Sequence, residues 1–195
     1  MIALDTLGHP ARRREIVEAA RALAAAQGWS AVTVRAIAGR IGCSAPAIYQ
    51  YFRDKDAVLA ALASDGRQAL ALHLDQAIAE VHGPAKRMRA VVRGLWDFAL
   101  ANRELYAVIY GLDGLAAHRD GSADAAPDSL RRVAAELVHK RQADEPADDL
   151  ADRVAATVHG FLCLALTDAF PGGRERALTL LLDALDALVK GLERR

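Results

Sequence analysis

The chain has 195 residues, enough for one domain or for a small domain joined to a larger one. Hydrophobic residues make up 53% of it but aromatic residues only 5%, and the abundance of alanine and leucine favours helices over strands. The net charge is zero, and the two cysteines stand 120 positions apart, which argues against a zinc site and against a disulfide framework.

The charge is unevenly distributed along the chain. Residues 1–60 hold eight Lys and Arg against five Asp and Glu, so the remainder holds seventeen against twenty. The basic first part permits a polyanionic partner, although many solvated surfaces carry as much charge. The first residues lack the apolar core of a signal peptide, and the uncharged run 154–167 is too short to span a bilayer. We therefore expect a cytoplasmic protein with no membrane partner.

The first three predicted helices lie close together in the sequence. Residues 11–27 carry apolar residues at helical spacing, and a glycine follows as a stop signal. Thr33 stands as the N-cap of a second helix, which ends near Gly42. Ser44 can cap a third helix, because its hydroxyl can accept hydrogen bonds from the free N–H groups of the first turn. Ile48 and Phe52 would form the buried side of that helix.

The rest of the chain also reads as helical. A fourth helix begins at Asp54 or its neighbour and runs to about His82. Four more are predicted over 85–111, 127–143, 147–170 and 173–192. The Gly-rich stretch 111–127 is predicted as a mobile loop with room for a short turn of helix. We expect an all-α protein of about nine helices.

Two short helices joined at Gly42-Cys43-Ser44 and braced by a preceding helix match the helix-turn-helix arrangement. The second helix of that arrangement enters the major groove of DNA, so small side chains at its start allow close approach to base edges. Gln50 can offer an amide to a base, and Arg35 can reach guanine or phosphate. The full set of predicted DNA-binding residues is Thr33, Arg35, Ser44, Ala45, Pro46, Ala47, Tyr49, Gln50, Tyr51 and Lys55.

The segment TVRAIAGRIGCSAPAIYQYFRDK resembles the N-terminal DNA-binding module of the TetR family of transcriptional regulators. That family has a Thr-capped helix, Gly-x-Ser at the turn, an aliphatic-Tyr-x-(His/Tyr)-Phe run and a Lys three residues after the Phe. The matching positions are Thr33, Ala38, Gly42, Ser44, Ile48, Tyr49, Tyr51, Phe52 and Lys55. Cys43 stands where the family often has Val, and we interpret it as a small packed hydrophobe. The resemblance implies a DNA-binding domain over 9–55 and an effector-binding and dimerisation domain over 56–195.

A single helix-turn-helix reads only a few bases, so two-fold symmetric dimers are usual, and the resemblance implies a homodimer. Leucines repeat at spacings of three and four in the last predicted helix, which suits pairing with a second copy. The predicted interface residues are Val158, Leu162, Leu178, Leu181, Leu185, Leu188 and Leu192. The alternative is a bundle that is packed only within one chain.

Aromatic residues, which are few in this chain, concentrate in the segment 96–112. They could line an apolar cavity whose hydroxyl groups orient a small-molecule effector. The predicted lining is Trp96, Phe98, Leu105, Tyr106, Ile109, Tyr110 and His159. The segments around Tyr106 and at 158–161 resemble the C-terminal domain of a TetR subfamily marked by Trp-His-Gly, although Val158 replaces the Trp. A buried, hydrogen-bonded core histidine is an equally good interpretation of His159.

These features predict a ligand-responsive DNA-binding transcriptional repressor, acting as a homodimer on a pseudo-palindromic operator and released by an apolar small molecule. The alternatives are an effector-independent DNA-binding protein and an activator of the same fold. The six histidines show no metal-binding spacing, so we expect no metal and no cofactor. The sequence has no nucleophile elbow and no phosphate-binding glycine loop, so we do not expect an enzyme.

Overall fold

The computed structural model describes residues 9–115 and 126–192. Within those residues the chain is all-α, which confirms the predicted fold class. The helices are α1 (His9–Gln27), α2 (Val34–Arg40), α3 (Ala45–Ile48), α4 (Lys55–Ile78), α5 (Pro84–Ala101), α6 (Arg103–Tyr110), α7 (Asp128–Arg141), α8 (Ala147–Leu166) and α9 (Gly173–Lys190), with a 3-10 turn at Trp29–Ala31. Most of the predicted loop at 111–127 lies outside the described residues.

The chain divides into two compact units. The first contains residues up to Arg67 and those that follow from Arg103, and therefore holds α1 to α3, the first half of α4, and α6. The second contains Gln68–Asn102 and the chain from α7 onward. The predicted domain boundary at residue 55 does not coincide with this division, because α4 continues through both units and α6 packs with α1.

The first unit has a small core built from one face of each short helix. Ile16 of α1, Ile37 of α2 and Ile48 of α3 are almost fully buried. The α6 helix packs against α1 and approaches α4 closely at Gly66, where an added Cβ would lie 3.2 Å from Cδ1 of Ile109. The absence of a side chain at Gly66, in the middle of α4, therefore allows Ile109 of α6 to pack closely against α4.

The segment predicted as one helix over 85–111 is two helices, so that prediction was wrong at its centre. The break falls at Asn102, which has φ −134° and ψ 54° and caps α5. Its backbone N–H donates to the Phe98 carbonyl at 2.8 Å, and its side-chain amide donates to the same carbonyl at 3.2 Å. The side-chain amide thus shares the acceptor of a normal helical hydrogen bond, and α5 ends because the φ and ψ of Asn102 are not helical.

The second unit is a helical bundle in which α7 packs against α5 and α8, and α8 packs against α9. Leu130, Leu150, Leu162 and Leu181 are fully buried in it. The buried Ser129 hydroxyl donates to Asp75 at 2.8 Å, and this bond is the largest cause that lowers the pKa of Asp75. The last part of α4 is thereby tied to α7.

Candidate nucleic-acid interface

The turn between α2 and α3 is closed by two backbone hydrogen bonds. The N–H of Cys43 donates to the Ala38 carbonyl at 2.9 Å, and the N–H of Gly42 donates to the Gly39 carbonyl at 3.4 Å. This pair of bonds is the Schellman motif, in which the residue after the C-cap adopts a left-handed conformation. Gly42 has φ +67°, and a Cβ added there would meet no atom within 4 Å. The turn therefore needs glycine for its backbone conformation and not for space.

Side-chain caps fix the starts of the flanking helices, with one exception. The Thr33 hydroxyl accepts a hydrogen bond from the N–H of Ala36 at 3.1 Å, as predicted for an N-cap. The Asp54 carboxylate accepts from the N–H of Ala57 at 2.7 Å and starts α4. Ser44 occupies the N-cap position of α3, but its side chain makes no capping hydrogen bond, so that part of the prediction was wrong.

The α3 helix has one buried and one accessible side. Ile48 and Phe52 are buried, and the N–H groups of Tyr51 and Phe52 both donate to the Ile48 carbonyl at 2.9 and 3.0 Å. Tyr49 is 56% exposed. The predicted DNA-binding residues are exposed at Thr33, Arg35, Ser44, Pro46, Tyr49 and Gln50 and half-buried at Ala45, Ala47, Tyr51 and Lys55.

All ten predicted DNA-binding residues therefore keep accessible surface in the folded chain. The Lys55 side chain also makes a hydrogen bond within the chain, because its Nζ donates to the Trp29 carbonyl at 3.5 Å. This bond holds the start of α4 near the 3-10 turn and orients the ammonium group.

The arginines of this unit fall into paired and unpaired sets. Arg12 pairs with Glu15 at 2.5 Å, and Arg53 pairs with Asp54 at 3.0 Å. Within the described residues of this unit, five exposed arginines have no acidic partner, and these are Arg13, Arg14, Arg35, Arg40 and Arg103. Of these five, only Arg35 was predicted as a DNA-binding residue.

Arg13 is a feature that the sequence prediction missed. Its guanidinium carbon lies over the Phe52 ring, 4.3 Å from the ring centroid, in a cation–π contact between α1 and the end of the helix-turn-helix. The run of three arginines at the start of α1 was the available signal. The sequence could not indicate which of the three would meet an aromatic ring 39 positions later.

The predicted effector-lining residues belong to both units. In the first unit Leu105 and Tyr106 are buried, and the rings of Tyr106 and Tyr110 lie 4.6 Å apart between centroids. Burial raises the pKa of Tyr110 to about 12, although the charge of Arg67 opposes the shift. The half-buried Ile109 contacts α4 at Gly66.

In the second unit Trp96 and Phe98 are buried, and Phe98 lies 5.8 Å from the His73 ring between centroids. His159 is half-buried, and burial lowers its pKa, which favours a neutral imidazole at pH 7. The assignment of these side chains to an effector site stays a prediction.

The predicted dimer seam is largely part of the chain's own core. Leu178 and Leu188 are half-buried. The other five residues are between 0% and 5% exposed, and these are Val158, Leu162, Leu181, Leu185 and Leu192. Side chains that are already covered have almost no surface left for a second copy, so we correct their assignment to the interface.

Among the described residues, no group of three His, Cys, Asp or Glu side chains is placed to hold a metal ion. Across the same parts of the chain, none of the helices has the length and apolar character needed to cross a membrane.

Two protein-family models match this chain. Residues 16–62, which include the helix-turn-helix, match the model of bacterial regulatory proteins of the tetR family. Residues 88–185, half of the chain, match the model of the tetracyclin repressor-like C-terminal domain. The chain belongs to the TetR family. TetR proteins are regulators, so this member is not an enzyme, as the sequence predicted.

Curated TetR-type relatives match part of the chain. An HTH-type transcriptional repressor from Mycobacterium tuberculosis, Rv1474c, is 44% identical over 61 residues, which are 31% of this chain and 33% of that protein. The HTH-type transcriptional regulator BetI from Serratia proteamaculans is 36% identical over 97 residues, which are 48% of each chain. The chain thus spans about half or less of the length of the curated relatives it matches.

Solved structures match over almost the full length. A protein of unknown function from Rhodococcus sp. RHA1 is 28% identical with a TM-score of 0.77, covering 97% of this chain and 100% of that one. The TetR family transcriptional regulator PfmR from Thermus thermophilus is 22% identical with a TM-score of 0.63, covering 92% of this chain and 99% of that one. The second likeness shows the shared TetR fold.

Proposed function

We propose that this TetR-family chain is a DNA-binding transcriptional repressor, which binds a pseudo-palindromic operator as a homodimer in the cytoplasm and is released by a small molecule. The observation that carries the proposal is the Gly42 turn, which joins a capped α2 to α3, whose small residues and the exposed Tyr49 and Gln50 just after it are open to solvent. An α-helix presented in this way can enter the major groove.

The residues of α3 and of the turn that follows it divide into two roles. Ala45 and Ala47 let the helix approach thymine methyl groups, and the Gln50 amide is the candidate for direct base reading. Tyr49, which is 56% exposed, suits a phosphate oxygen. Phosphate contacts set affinity and position, whereas base contacts set sequence preference.

This division is testable on duplexes selected from a random library with the purified protein. Gln50→Ala should change the ranking of the selected sequences, and a discrimination of about 5- to 150-fold between best and mismatched sites corresponds to one bidentate base contact. Tyr49→Phe should weaken all sequences alike. A Gln50→Ala protein that keeps the wild-type ranking would mean that the base-reading side of α3 has been assigned wrongly.

The homodimer is supported by an uncovered apolar stripe on the last two helices. On α8, Ala156, Gly160 and Leu164 are exposed at spacings of four, and Leu164 is 47% exposed. On α9, Leu180 is 37% exposed, and the smaller Ala187 is exposed two turns further along the same face. Small residues at this spacing allow close helix approach, and a two-fold axis would pair the stripe with itself in a four-helix contact.

A charge placed on this stripe should separate the subunits without damaging the fold. Leu164→Glu is therefore expected to give monomers by light scattering, with the wild-type helical content by far-ultraviolet circular dichroism. Leu72→Glu is the matched control, because Leu72 is an exposed leucine of α4 at 62%. A Leu164→Glu protein with the wild-type mass would place the dimer contact elsewhere.

Ligand response is supported by the match of residues 88–185 to a tetracyclin repressor-like C-terminal domain. The buried hydroxyls of Tyr106 and Tyr110 are candidates for orienting an otherwise apolar effector. An effector-independent DNA-binding protein is the second candidate, because Trp96, Phe98 and Leu105 are already covered by the chain itself, as core side chains are.

Native mass spectrometry of the protein purified from its expression host separates the two candidates. A bound small molecule whose removal changes operator affinity would support ligand response. The effector-independent protein would be favoured if the mass spectrum shows no bound small molecule and if no compound in a library of apolar molecules changes the affinity for the operator.

A further inference from the structure

The first helix carries an arginine, Arg13, whose side chain is positioned by an aromatic ring and is not paired with an acidic residue in the part of the chain that the structure describes. Arg13 lies in α1, outside the helix-turn-helix, and its guanidinium sits 4.3 Å above the Phe52 ring. We propose that Arg13 is a phosphate-contacting residue of the DNA interface, fixed for that role by Phe52. The inference rests on the proposed DNA binding and adds α1 to the surface that carries it.

The charge state of Arg13 distinguishes it from its neighbours. Arg12 is paired with Glu15, and Arg53 is paired with Asp54, so the positive charge of each is locally compensated. Arg13 is exposed and has no acidic partner within the described residues. An uncompensated cation at the surface is available to displace counterions from a DNA backbone.

The ring contact gives Arg13 a position as well as a charge. A guanidinium that stacks on a ring uses its flat face, so its N–H groups stay in the plane and can donate to a phosphate. Phe52 is buried, and its N–H donates to the Ile48 carbonyl, which also accepts from Tyr51. Arg13 therefore lies against the hydrogen-bonded turn after α3 that carries Tyr49, the candidate phosphate contact.

Arg14 is a matched control within the same turn of α1. It is an exposed arginine without an acidic partner in the described residues, as Arg13 is, but no aromatic contact holds it. A diffuse effect of positive charge would involve both arginines equally. A fixed phosphate contact would involve Arg13 alone.

The test is the salt dependence of binding to a short duplex of random sequence, measured by fluorescence anisotropy for wild type, R13Q, R14Q and R13K. Each lost phosphate contact lowers the slope of log K against log salt by about 0.9. R13Q should therefore lose about 0.9 in slope for each subunit bound, so between about 50 and 200 mM salt its affinity should fall ~3.5-fold less than that of wild type for one bound subunit and ~12-fold less for a bound dimer. R14Q and R13K should keep the wild-type slope.

The outcomes separate this inference from the proposed function. An R13Q protein with a lower melting temperature and the wild-type slope would mean that Arg13 only braces Phe52, and would overturn the inference. Equal losses of slope in R13Q and R14Q would overturn it too, because the effect would then be diffuse. A wild-type protein that binds no duplex at any salt would instead refute the proposed function itself.

Discussion

Replacement of Gly42 by alanine tests how much the left-handed backbone conformation of the turn contributes to stability, without a change in packing. Gly42 has φ +67°, and a Cβ added there would meet no atom within 4 Å. Gly39 lies three residues earlier, inside α2, and a Cβ added there also meets no atom within 4 Å. The two positions therefore offer the same space and differ in backbone conformation.

The expected effects of alanine at these two positions have opposite signs. A left-handed conformation costs an L-residue with a Cβ roughly 1–2 kcal/mol, so Gly42→Ala should destabilise the protein by about that amount. Alanine in a helix is favoured over glycine by roughly 0.5–1 kcal/mol, so Gly39→Ala should stabilise it. For a chain of this size, each 1 kcal/mol corresponds to about 2–4 °C in melting temperature.

The assay is thermal unfolding followed by far-ultraviolet circular dichroism. Gly42→Ala should melt about 2–8 °C below wild type and Gly39→Ala about 1–4 °C above it. Gly42→Asn should lie between wild type and Gly42→Ala, since asparagine tolerates the left-handed region better than alanine does. If Gly42→Ala melted as high as wild type, the reasoning that the Schellman turn requires glycine would be refuted.

Three further experiments test contacts of the first unit. Gly66→Ala should be less favourable than Gly39→Ala, because the new Cβ lies 3.2 Å from Cδ1 of Ile109 and this crowding opposes the gain in helix propensity; Ile109→Val removes Cδ1 but leaves Cγ1 at 3.3 Å, so it should relieve part of the crowding, and urea unfolding of both single variants and the double variant measures the effect. Glu104→Gln and Arg21→Gln should show a coupling of about 0.2–1 kcal/mol in a double-mutant cycle, since their 2.9 Å ion pair is part-exposed; a coupling of zero would contradict this. Tyr110 should ionise near pH 12 in ultraviolet difference titration. A free tyrosine ionises near pH 10, so the unfolded chain releases this proton at a lower pH than the folded chain does. The free energy of unfolding should therefore decrease between about pH 10 and 12. In Tyr110→Phe this contribution to the decrease should be absent.

Most of the helix-turn-helix could be predicted because its signals are local. The Thr33 hydroxyl bonds to an N–H three residues away, and the Gly42 turn closes on carbonyls within five residues. The burial of Ile48 and Phe52 follows from their spacing of four on one helical face. Ser44 shows the limit of such signals, because a residue at the cap position need not form the capping bond.

Contacts between distant residues could not be predicted. Arg21 and Glu104 are 83 positions apart, and Arg13 and Phe52 are 39 positions apart. The break at Asn102 also escaped prediction, because apolar residues continue at helical spacing on both sides of it. Long-range pairing depends on how helices dock, and a single sequence carries no direct record of docking.

The sequence by itself determined the all-α class, the capped helices and the glycine turn, because each depends on hydrogen bonds within a few residues. Only the tertiary structure decided which apolar faces the chain covers itself. Leu181 and Leu185 repeat with the spacing of a dimer seam yet are core residues, whereas Leu164 stays 47% exposed. Periodicity reveals that a helix face is apolar, but the partner that removes it from water is chosen by packing in three dimensions.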